Sequence, residues 1–427
     1  MTSATPVVIL RSGHHGGLGI VRSLGRLRVP VYSVDATYWE PAFSSRYCRG
    51  RFLLDIEKGL STDSIAKLLE IGKKVGGQPI LIPTTDRAAI WVAEHAAPLQ
   101  EGYCFPRQNA SLVRLLCDKG RMQELARQSG VATAQSVIPR SKMDVEEFLE
   151  TAVFPVMVKA TDADRMRRHT GGTKFVIHTP RELIALYSKV PDHNEPCLLI
   201  QEYIVGEDWM FDGYFDKTSE CLFGLTGKKI RRFPSNTGIT SLGICLPNET
   251  VENTTAHFMR KIGYRGILDI GYRYDQRDGQ YKVLDVNPRI GCTFRLFTDE
   301  NGLDVARALY LDMIGQPVTP VPAAEGRKWV VEDIDLFSAL SSLRSGTLHF
   351  RDWVRSFRGV QEAACFAADD PLPFLMMGLA DCYELSQWIR RRFNARKHVP
   401  SETTDDASVA AADCPAGPLN PSPSCED

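Results

Sequence analysis

In Val283-Leu284-Asp285-Val286-Asn287-Pro288-Arg289, apolar residues alternate with Asp285 and Asn287. A period of two is typical of a β-strand, and it places these two polar side chains on the same face. Carboxylate and amide oxygens suit Mg²⁺, which binds a few such groups together with phosphates and water. The stretch therefore predicts a strand that carries a magnesium site, although a solvated edge strand would have the same alternation.

This strand is the second half of a predicted antiparallel hairpin, formed by Gly266–Tyr274 and Tyr281–Asn287. The turn around Arg277-Asp278-Gly279 sets the register of the two strands. With a three-residue loop, Asp269 faces the same side as the two polar side chains of the second strand. With a two-residue turn, Asp269 points away from them. The sequence leaves both registers open.

The N-terminal part of the chain alternates strands and helices, which predicts an open parallel sheet with any ligand at the carboxyl ends of the strands. Strands are predicted at Pro6–Leu10, Val29–Val34 and Pro79–Pro83. The first strand runs into a tight glycine-rich loop, Ser12–Gly19. Its spacing is not G-x-G-x-x-G, so a turn with glycines at positive φ is favoured over a dinucleotide loop. Helices are predicted at Ile20–Leu27, Ala88–His95 and Ser111–Ser129, and helical or mixed segments at Trp329–Ser345 and Leu375–Arg392.

The composition is that of an ordinary soluble protein with two or three domains. The 427 residues include 51 basic and 52 acidic ones, a net charge of −1 that gives no reason to expect bulk attraction to nucleic acid or a membrane surface. No apolar run approaches the roughly 18 residues of a membrane span, and we expect no signal peptide. The 11 cysteines are scattered without a CxxC pair, which argues against a zinc site or a disulfide framework and favours reduced thiols in the cytoplasm.

Two stretches in the middle of the chain point to a site for phosphate groups. Lys159 lies near the end of an apolar strand, Phe154–Ala160, and its ammonium group is costly to bury unless it meets an anion or reaches water. A charged loop, Asp162–His169, leads to Gly171-Gly172-Thr173, whose backbone N–H groups can lie over phosphates. Each feature alone also fits a snorkelling lysine or a hairpin turn.

Elements on either side extend this pattern. Lys119 lies inside the predicted helix Ser111–Ser129, and the strand Leu198–Tyr203 runs into an acidic turn that contains Glu207 and Asp208. Each of these also has a bland interpretation as a solvated residue. The order and spacing of the four features argue for one shared site.

In that order and spacing, the chain resembles the ATP-grasp superfamily over about residues 6–318. The resemblance implies an α/β (α+β) fold with an N-terminal Rossmann-like parallel sheet, a central small α+β subdomain and a C-terminal antiparallel sheet. The domain boundaries that we expect are 1–110, 111–196 and 197–320, followed by a helical or mixed extension, 321–395, and a disordered tail, 396–427.

The resemblance implies an ATP site. Lys119 and Lys159 would hold the α- and β-phosphates. The flap would be His169–Lys174, with Gly171, Gly172, Thr173 and Lys174. The hinge that faces adenine would be Gln201–Ile204, most directly through Glu202 and Ile204. Asp208, or its neighbour Glu207, would bind the ribose, and Lys229 and Arg231 would meet the β- and γ-phosphates.

The resemblance also implies a site for Mg²⁺, or Mn²⁺, on Asp285 and Asn287. The superfamily usually has a further acid on the preceding strand, directly before an aromatic residue. Here Gly271 precedes Tyr272, and Asp269 is the expected replacement. A missing acid would change the metal stoichiometry or abolish activity.

Within the superfamily, the chain resembles carboxylate–amine ligases related to D-aspartate ligase, on Gly263-Tyr264-Arg265-Gly266 and on residues 285–289. The resemblance implies a C–N bond-forming ligase in which a carboxylate takes the γ-phosphate of ATP and the amine of an amino acid attacks the acyl phosphate. Lys159 and Arg289 would be catalytic. The substrates are expected between the N-terminal sheet and the hairpin, at Gly16, Gly17, Thr85, Asp86 and Arg295.

Other expectations are a cytoplasmic protein, a possible homodimer, small-molecule substrates and no nucleic-acid partner. Cys292 has no evident base partner and is interpreted as a packing residue. The alternative function is an ATP-binding phosphoryl transferase or a non-catalytic nucleotide-binding regulator, favoured by Gly271. A Rossmann-type oxidoreductase based on Gly13–Gly19 and Asp35 ranks last, because it leaves the lysines and the metal strand without a role.

Overall fold

The computed structural model describes residues 4–57, 61–190, 196–234, 238–379 and 382, and its strands form three sheets. The predicted tail 396–427 and most of the segment Leu375–Arg392 lie outside the described residues. The first sheet is parallel, with strand order β3-β2-β1-β4. Its strands are β1 Val7–Leu10, β2 Val31–Asp35, β3 Cys48–Leu53 and β4 Ile80–Pro83.

The other two sheets are mainly antiparallel. The central sheet has the order β5-β8-β6-β7 and consists of β5 Ser136–Val137, β6 Val156–Ala160, β7 Lys174–Ile177 and β8 Leu198–Glu202. The third sheet has the order β13-β12-β9-β10-β11-β14-β15. Its strands are β9 Asp208–Phe215, β10 Cys221–Phe233, β11 Ile239–Cys245, β12 Gly266–Asp275, β13 Gln280–Asn287, β14 Lys328–Val330 and β15 Val360–Ala363.

Helices cover the sheets and connect them. They are α1 His15–Gly25, α2 Pro41–Ser44, α3 Ser61–Val75, α4 Asp86–Glu94, α5 Ala96–Leu99, α6 Ala110–Cys117, α7 Lys119–Gln128, α8 Lys142–Thr151, α9 Ala163–Thr170, α10 Pro180–Tyr187, α11 Glu249–Ile262, α12 Val305–Met313, α13 Glu332–Arg344 and α14 Phe350–Ser356. None of the described helices is both long and apolar enough to cross a membrane.

The largest core joins the parallel sheet to the seven-stranded sheet. Apolar residues of β1, β4, α1 and α12 pack there against Tyr214 of β9, Phe223 of β10 and Phe294. The core forms because β1 and β4 are continuous apolar runs, as expected of parallel strands covered on both faces. It fixes the carboxyl edge of the parallel sheet relative to the hairpin β12–β13.

The glycine-rich segment differs from the prediction of a loop with positive φ. Helix α1 already begins at His15, so Gly16, Gly17 and Gly19 are helical, and none of them has a positive φ. Close packing is the reason for glycine here, since a Cβ on Gly17 would stand 2.4 Å from the carbonyl oxygen of Ser12. His14 caps the helix by accepting a hydrogen bond from the Gly16 N–H.

Two other predicted elements were wrong. The charged loop Asp162–His169 is helix α9, which Asp162 caps and Gly171 ends at φ +78°. The predicted helix Ser111–Ser129 is broken at Asp118, whose φ of −89° and ψ of 110° leave the helical region. The Asp118 side chain caps α7, so Lys119 is the first residue of a new helix.

The hairpin has neither the three-residue loop nor the two-residue turn that the sequence left open. Asp275 pairs with Gln280, which leaves a four-residue loop, and the register then shifts by one residue between Gly271 and Tyr272. The shift has the same effect as a three-residue loop, because Asp269 comes to lie opposite Asn287. Asp269, Asp285 and Asn287 therefore share one face.

The segment after residue 320 extends the large sheet. The predicted segment Trp329–Ser345 is strand β14 followed by helix α13, and β14 pairs with β11. Trp329 is buried and its ring lies 5.5 Å from that of His15. The extension therefore reaches the start of α1.

Candidate active site

One cleft between the central sheet and the seven-stranded sheet collects most of the predicted site residues. Its walls come from α7, β6, β7, the end of β8, and the hairpin β12–β13. The predicted residues that line it are Lys119, Lys159, Lys174, Gln201, Glu202, Ile204, Asp208, Lys229, Asp269, Asp285, Asn287 and Arg289.

The basic end of the cleft is built around Lys159. Lys159 of β6 pairs in register with Lys174 of β7, and Lys119 begins α7 nearby. Burial and the charge of Lys119 lower the pKa of Lys159 to about 7, although Asp285 opposes this shift. A lysine that is short of negative charge in a cleft suits a polyphosphate.

The acidic end of the cleft is the shared face of the hairpin. The Asn287 Nδ2 lies 3.3 Å from Asp269 Oδ2 and 3.3 Å from Asp285 Oδ2. Burial raises the pKa of Asp269 to about 6, against the opposing charge of Arg289. Two carboxylates and an amide that converge in this way are a donor set that fits Mg²⁺.

The protein groups alone would not complete a metal site. Among the described residues, no three His, Cys, Asp or Glu side chains converge closely enough to hold a metal ion. Phosphate oxygens and water would have to supply the remaining ligands, as is usual for Mg²⁺ in nucleotide sites.

Gly271 has a steric role in this hairpin. It pairs with Asp285, and a Cβ on Gly271 would stand 2.4 Å from Asp285 Oδ1. A side chain at position 271 would therefore displace Asp285. Asp269 supplies the second carboxylate of the face, two residues before the glycine.

The predicted hinge lies at the rim of the cleft. The Glu202 N–H donates to the Gln135 carbonyl at 2.8 Å, and the Ile204 carbonyl accepts from Arg273 at 3.1 Å. Gln201 is buried, and its Nε2 has no hydrogen-bond partner among the described residues. An orphaned buried donor that lines a cleft fits a polar ligand such as a nucleotide base.

The predicted ribose acid is held by two arginines. Asp208 accepts from Arg273 Nε at 2.7 Å and also pairs with Arg232. Glu207 does not line the cleft and pairs with Lys228 instead. Of the two neighbouring acids, only Asp208 is placed where a ligand in the cleft can reach it.

Most of the predicted flap does not line the cleft. Gly171 ends α9, the Gly172 carbonyl accepts from the Thr170 hydroxyl at 2.9 Å, and the Thr173 carbonyl accepts from the Ala160 N–H at 2.8 Å. Only Lys174 reaches the cleft lining.

Two predicted arginines have structural partners elsewhere, so their predicted site roles are corrected. Arg231 forms a two-pronged ion pair with the buried Asp335, with both donor–acceptor distances 2.8 Å. Arg295 is buried against Asp304 and Glu362. Neither side chain lines the cleft, because each is held by an acid on the other side of its strand or turn.

The predicted substrate residues Gly16, Gly17, Thr85 and Asp86 stand behind the lining. Thr85 caps α4 by accepting from the Ala88 N–H, whereas Asp86 accepts from Arg289 Nε at 2.9 Å. Asp86 thus acts on the cleft through Arg289. The absence of a Cβ at Gly16 and Gly17 lets the start of α1 pack closely against Cys292 and Ser12.

Three residues around the site, Arg273, Asp212 and His14, were not predicted from the sequence, and a fourth, Cys292, was predicted to lack a base partner but has its Sγ 3.4 Å from His14 Nδ1. Arg273 orders the hinge and Asp208, and its position on β12 was the only available signal. Asp212 of β9 lies opposite Asp269, is fully buried, and has no hydrogen-bond partner for either carboxylate oxygen among the described residues. Burial and Asp269 raise the pKa of Asp212 well above its usual value. His14 and Cys292 meet behind Arg289.

The chain is similar to known proteins in sequence and in fold. No family model matches the chain. D-aspartate ligase from Enterococcus faecium (strain Aus0004) is 26% identical over 247 residues, which are 55% of this chain and 58% of the ligase. The matched region thus spans little more than half of either protein.

Two solved structures share the fold over a longer part of the chain. N5-carboxyaminoimidazole synthetase from Staphylococcus aureus, complexed with ADP, has a TM-score of 0.59 and 14% identity, and the match covers 77% of this chain and 82% of that one. L-amino acid ligase from Bacillus licheniformis has a TM-score of 0.54 and 14% identity, over 75% of this chain and 76% of that one. The likeness to these solved structures shows the fold of the chain. It is an ATP-grasp fold, with a parallel sheet, a small central sheet and a large antiparallel sheet around a cleft lined by lysines and carboxylates.

Proposed function

We propose that the protein is an ATP-dependent carboxylate–amine ligase that forms an amide through an acyl phosphate. The observation that carries the proposal is that one cleft places Lys119, Lys159 and Lys174 opposite Asp269, Asp285 and Asn287. Cations at one end and hard oxygen ligands at the other suit a Mg²⁺-bound triphosphate.

In the first step, a substrate carboxylate attacks the γ-phosphorus of ATP, ADP leaves and an acyl phosphate forms. Lys159 and Lys174 neutralise phosphate charge from the central sheet, and Lys229 and Arg289 do so from the opposite wall. Asp269, Asp285 and Asn287 would hold Mg²⁺, which when bound supplies charge neutralisation at the phosphate oxygens.

In the second step, an amine attacks the acyl carbon and phosphate leaves. The space for the amine lies beyond Arg289, where His15, Cys292 and Thr293 line the cleft. Asp86 and Asp269 hold the Arg289 side chain, at 2.9 Å and 3.5 Å. No covalent protein nucleophile is needed for this chemistry.

An amino acid is the proposed amine. The support is the match to D-aspartate ligase and the shared fold with L-amino acid ligase. We also propose that the protein is cytoplasmic and forms a homodimer. The proposed domain boundaries are those given above.

A hydroxylamine trap tests the proposal. The purified full chain is incubated with Mg·ATP, pooled carboxylic acids including amino acids, and hydroxylamine, and hydroxamate and ADP are quantified. We expect hydroxamate from wild type and from Lys142→Ala, since Lys142 is exposed on α8. We expect none above background from Lys159→Ala.

ADP without hydroxamate would contradict the acyl phosphate and indicate phosphorylation of another group. Hydroxamate at equal rates in wild type and Lys159→Ala would contradict the assignment of the cleft. If neither product forms, binding of Mg·ADP to both proteins, measured by calorimetry, decides whether the cleft binds nucleotide.

A further inference from the structure

Cys292 lies in the wall of the cleft beside a histidine. It is half-buried, lines the cleft, and its Sγ is 3.4 Å from Nδ1 of His14. Gly16 makes this approach feasible, because a Cβ there would stand 2.8 Å from the His14 ring and 3.2 Å from the Cys292 Cα. A thiol on the loop after β13 thus meets an imidazole at the start of α1.

The surroundings fix which nitrogen of His14 faces the thiol as an acceptor. Nε2 lies 3.2 Å from the carbonyl oxygen of Thr84, which can only accept, so Nε2 carries the proton. Nδ1 therefore has the lone pair, and it accepts from the Gly16 N–H at 3.0 Å and from the Cys292 thiol. His14 is oriented as a base toward Cys292.

Charged groups surround the pair. Burial lowers the pKa of His14, but the attraction and hydrogen bond to Cys292 outweigh it, so the pKa is raised overall. The charges of His15 and Arg289 act close to the pair, and those of Asp269 and Asp333 act from farther away. Cys292 packs against the first turn of α1, where a Cβ on Gly16 would stand 3.2 Å from its Cα, and a helix N-terminus is a setting that activates cysteines.

Five other cysteines among the described residues have a pKa shifted by burial. Burial raises the pKa of the thiols of Cys48, Cys104, Cys197, Cys221 and Cys245. Cys382 is exposed and serves as an internal reference for a solvent-accessible thiol.

We propose that Cys292 is a modification site for small thiol-reactive molecules, specifically low-molecular-weight disulfides, with His14 as its base. The proposal goes beyond the ligase function and does not require it.

The reaction is a thiol–disulfide exchange. His14 Nδ1 takes the thiol proton on its single lone pair, which releases the hydrogen bond from the Gly16 N–H. The Cys292 thiolate attacks one sulfur of the disulfide, the disulfide bond breaks, and the leaving thiolate takes the proton from Nδ1 and departs as a thiol, so that Nδ1 can accept from Gly16 again. A mixed disulfide then projects into the cleft beside Arg289. A thiol reductant reverses the exchange, so the adduct blocks substrate access reversibly.

Peptide-resolved mass spectrometry tests the proposal on the reduced full chain, with 2-hydroxyethyl disulfide as the probe. Asn is itself a good helix cap, so His14→Asn keeps the α1 cap but removes the base. We expect this variant to slow modification of Cys292 by roughly tenfold or more and to leave Cys382 unchanged. His95→Asn is the matched control, because His95 lies at the C-terminal end of α4. In this variant Cys292 should react at the wild-type rate.

A second measurement needs no variant. Mg·ADP in the cleft should slow labelling of Cys292 but not of Cys382. If the protein forms hydroxamate, the rate for wild type should fall as Cys292 is labelled and should return when dithiothreitol is added. For Cys292→Ser, the rate should be the same with and without the disulfide.

An unchanged labelling rate in a folded His14→Asn variant overturns the proposal. Labelling of Cys292 that is indifferent to Mg·ADP, when calorimetry shows that Mg·ADP binds, overturns the position of the adduct in the cleft. Parallel loss of activity in wild type and Cys292→Ser would show that the inhibition arises elsewhere. Failure of the ligase proposal would leave the His14→Asn result interpretable, because that result depends on neither turnover nor nucleotide binding.

Discussion

Lys159 carries its charge in surroundings that disfavour it. Burial and Lys119 hold its pKa near 7, so much of the side chain is neutral at pH 8 when no anion is bound. The sequence predicted a buried lysine that needs an anion. It could not predict that Lys174 would be its partner across β6 and β7, since that pairing depends on register.

Binding of Mg·ADP should restore the charge of Lys159. Proton uptake is therefore expected on binding at pH 8, and the affinity should fall as the pH rises above about 7, because the neutral lysine must first be protonated. Calorimetry in buffers of different ionisation enthalpy measures this uptake. In Lys159→Arg, which stays charged, the uptake should be smaller by up to one proton. Equal uptake in both proteins would contradict the assignment.

Asp285 and Asn287 are the residues that the alternating strand placed correctly on one face. We expect Asp285→Asn to weaken binding of Mn²⁺ in the presence of ADP by at least roughly tenfold, since changes at supporting partners alone cost about that much. Electron paramagnetic resonance of free Mn²⁺ measures it. Asp278→Asn, on the loop of the same hairpin, should bind Mn²⁺ as wild type does.

At the scale of elements, the hairpin β12–β13 depends on a one-residue irregularity. The four-residue loop alone would turn Asp269 away from Asn287, and the shift near Gly271 brings it back. A sequence pattern can predict a hairpin. It cannot predict this bulge, because the stability of the bulge depends on the pairing of β12 with β9, which is distant in the chain.

Gly271→Ala tests the steric role of this glycine. Its Cβ would stand 2.4 Å from Asp285 Oδ1, so the carboxylate has to move. Binding of Mn²⁺ with ADP should weaken by roughly tenfold or more while circular dichroism stays unchanged. Gly378→Ala, which adds its Cβ in open space, is the matched control. Normal metal binding in Gly271→Ala would mean that Asp285 is not a ligand.

Arg231 belongs to the packing of α13 against β10. Asp335 is 1% exposed and also accepts from Ser241 and Trp353. Removing the arginine leaves a buried carboxylate without its cation, so Arg231→Met should lower the free energy of unfolding by about 3 kcal/mol. Its affinity for Mg·ADP should stay unchanged. Chemical denaturation and calorimetry measure both, and a selective loss of nucleotide affinity would restore the phosphate role.

At the scale of the whole molecule, the extension after residue 320 ties the parallel sheet to the large sheet. Asp370 is 1% exposed and accepts from Arg22 of α1 at 2.9 Å and from Ser45 at 2.7 Å. Strand β14 pairs with β11 at the other end of the extension. The extension therefore contacts both ends of α1, through Trp329 at His15 and through Asp370 at Arg22.

Asp370→Ala should lower the free energy of unfolding by about 3 kcal/mol, because it leaves the buried Arg22 without its carboxylate. Asp369→Ala is a matched neighbour, since its pair with Arg26 is largely exposed and should cost less than about 1 kcal/mol. Thermal and denaturant unfolding measure the two. Equal losses would show that burial of the Arg22 pair does not matter.

Local sequence patterns were enough to predict the alternation of strands and helices at the N-terminus, the hairpin, and the chemistry of Lys159, Asp285 and Asn287. These features depend on local periodicity and on residue type, which neighbouring positions already encode. Its errors were also local in origin. The glycines before Ile20 and the charges of 162–169 were interpreted as loops, because capping and close packing were not visible.

Only the tertiary structure decided which residues meet. It placed Asp269 beside Asn287, turned Arg231 and Arg295 toward buried acids, and brought His14 to Cys292 across 278 positions of the chain. Such contacts depend on register shifts, on the absence of a Cβ at single glycines, and on the packing of distant strands. They are settled by the sum of many long-range contacts, which no local pattern contains.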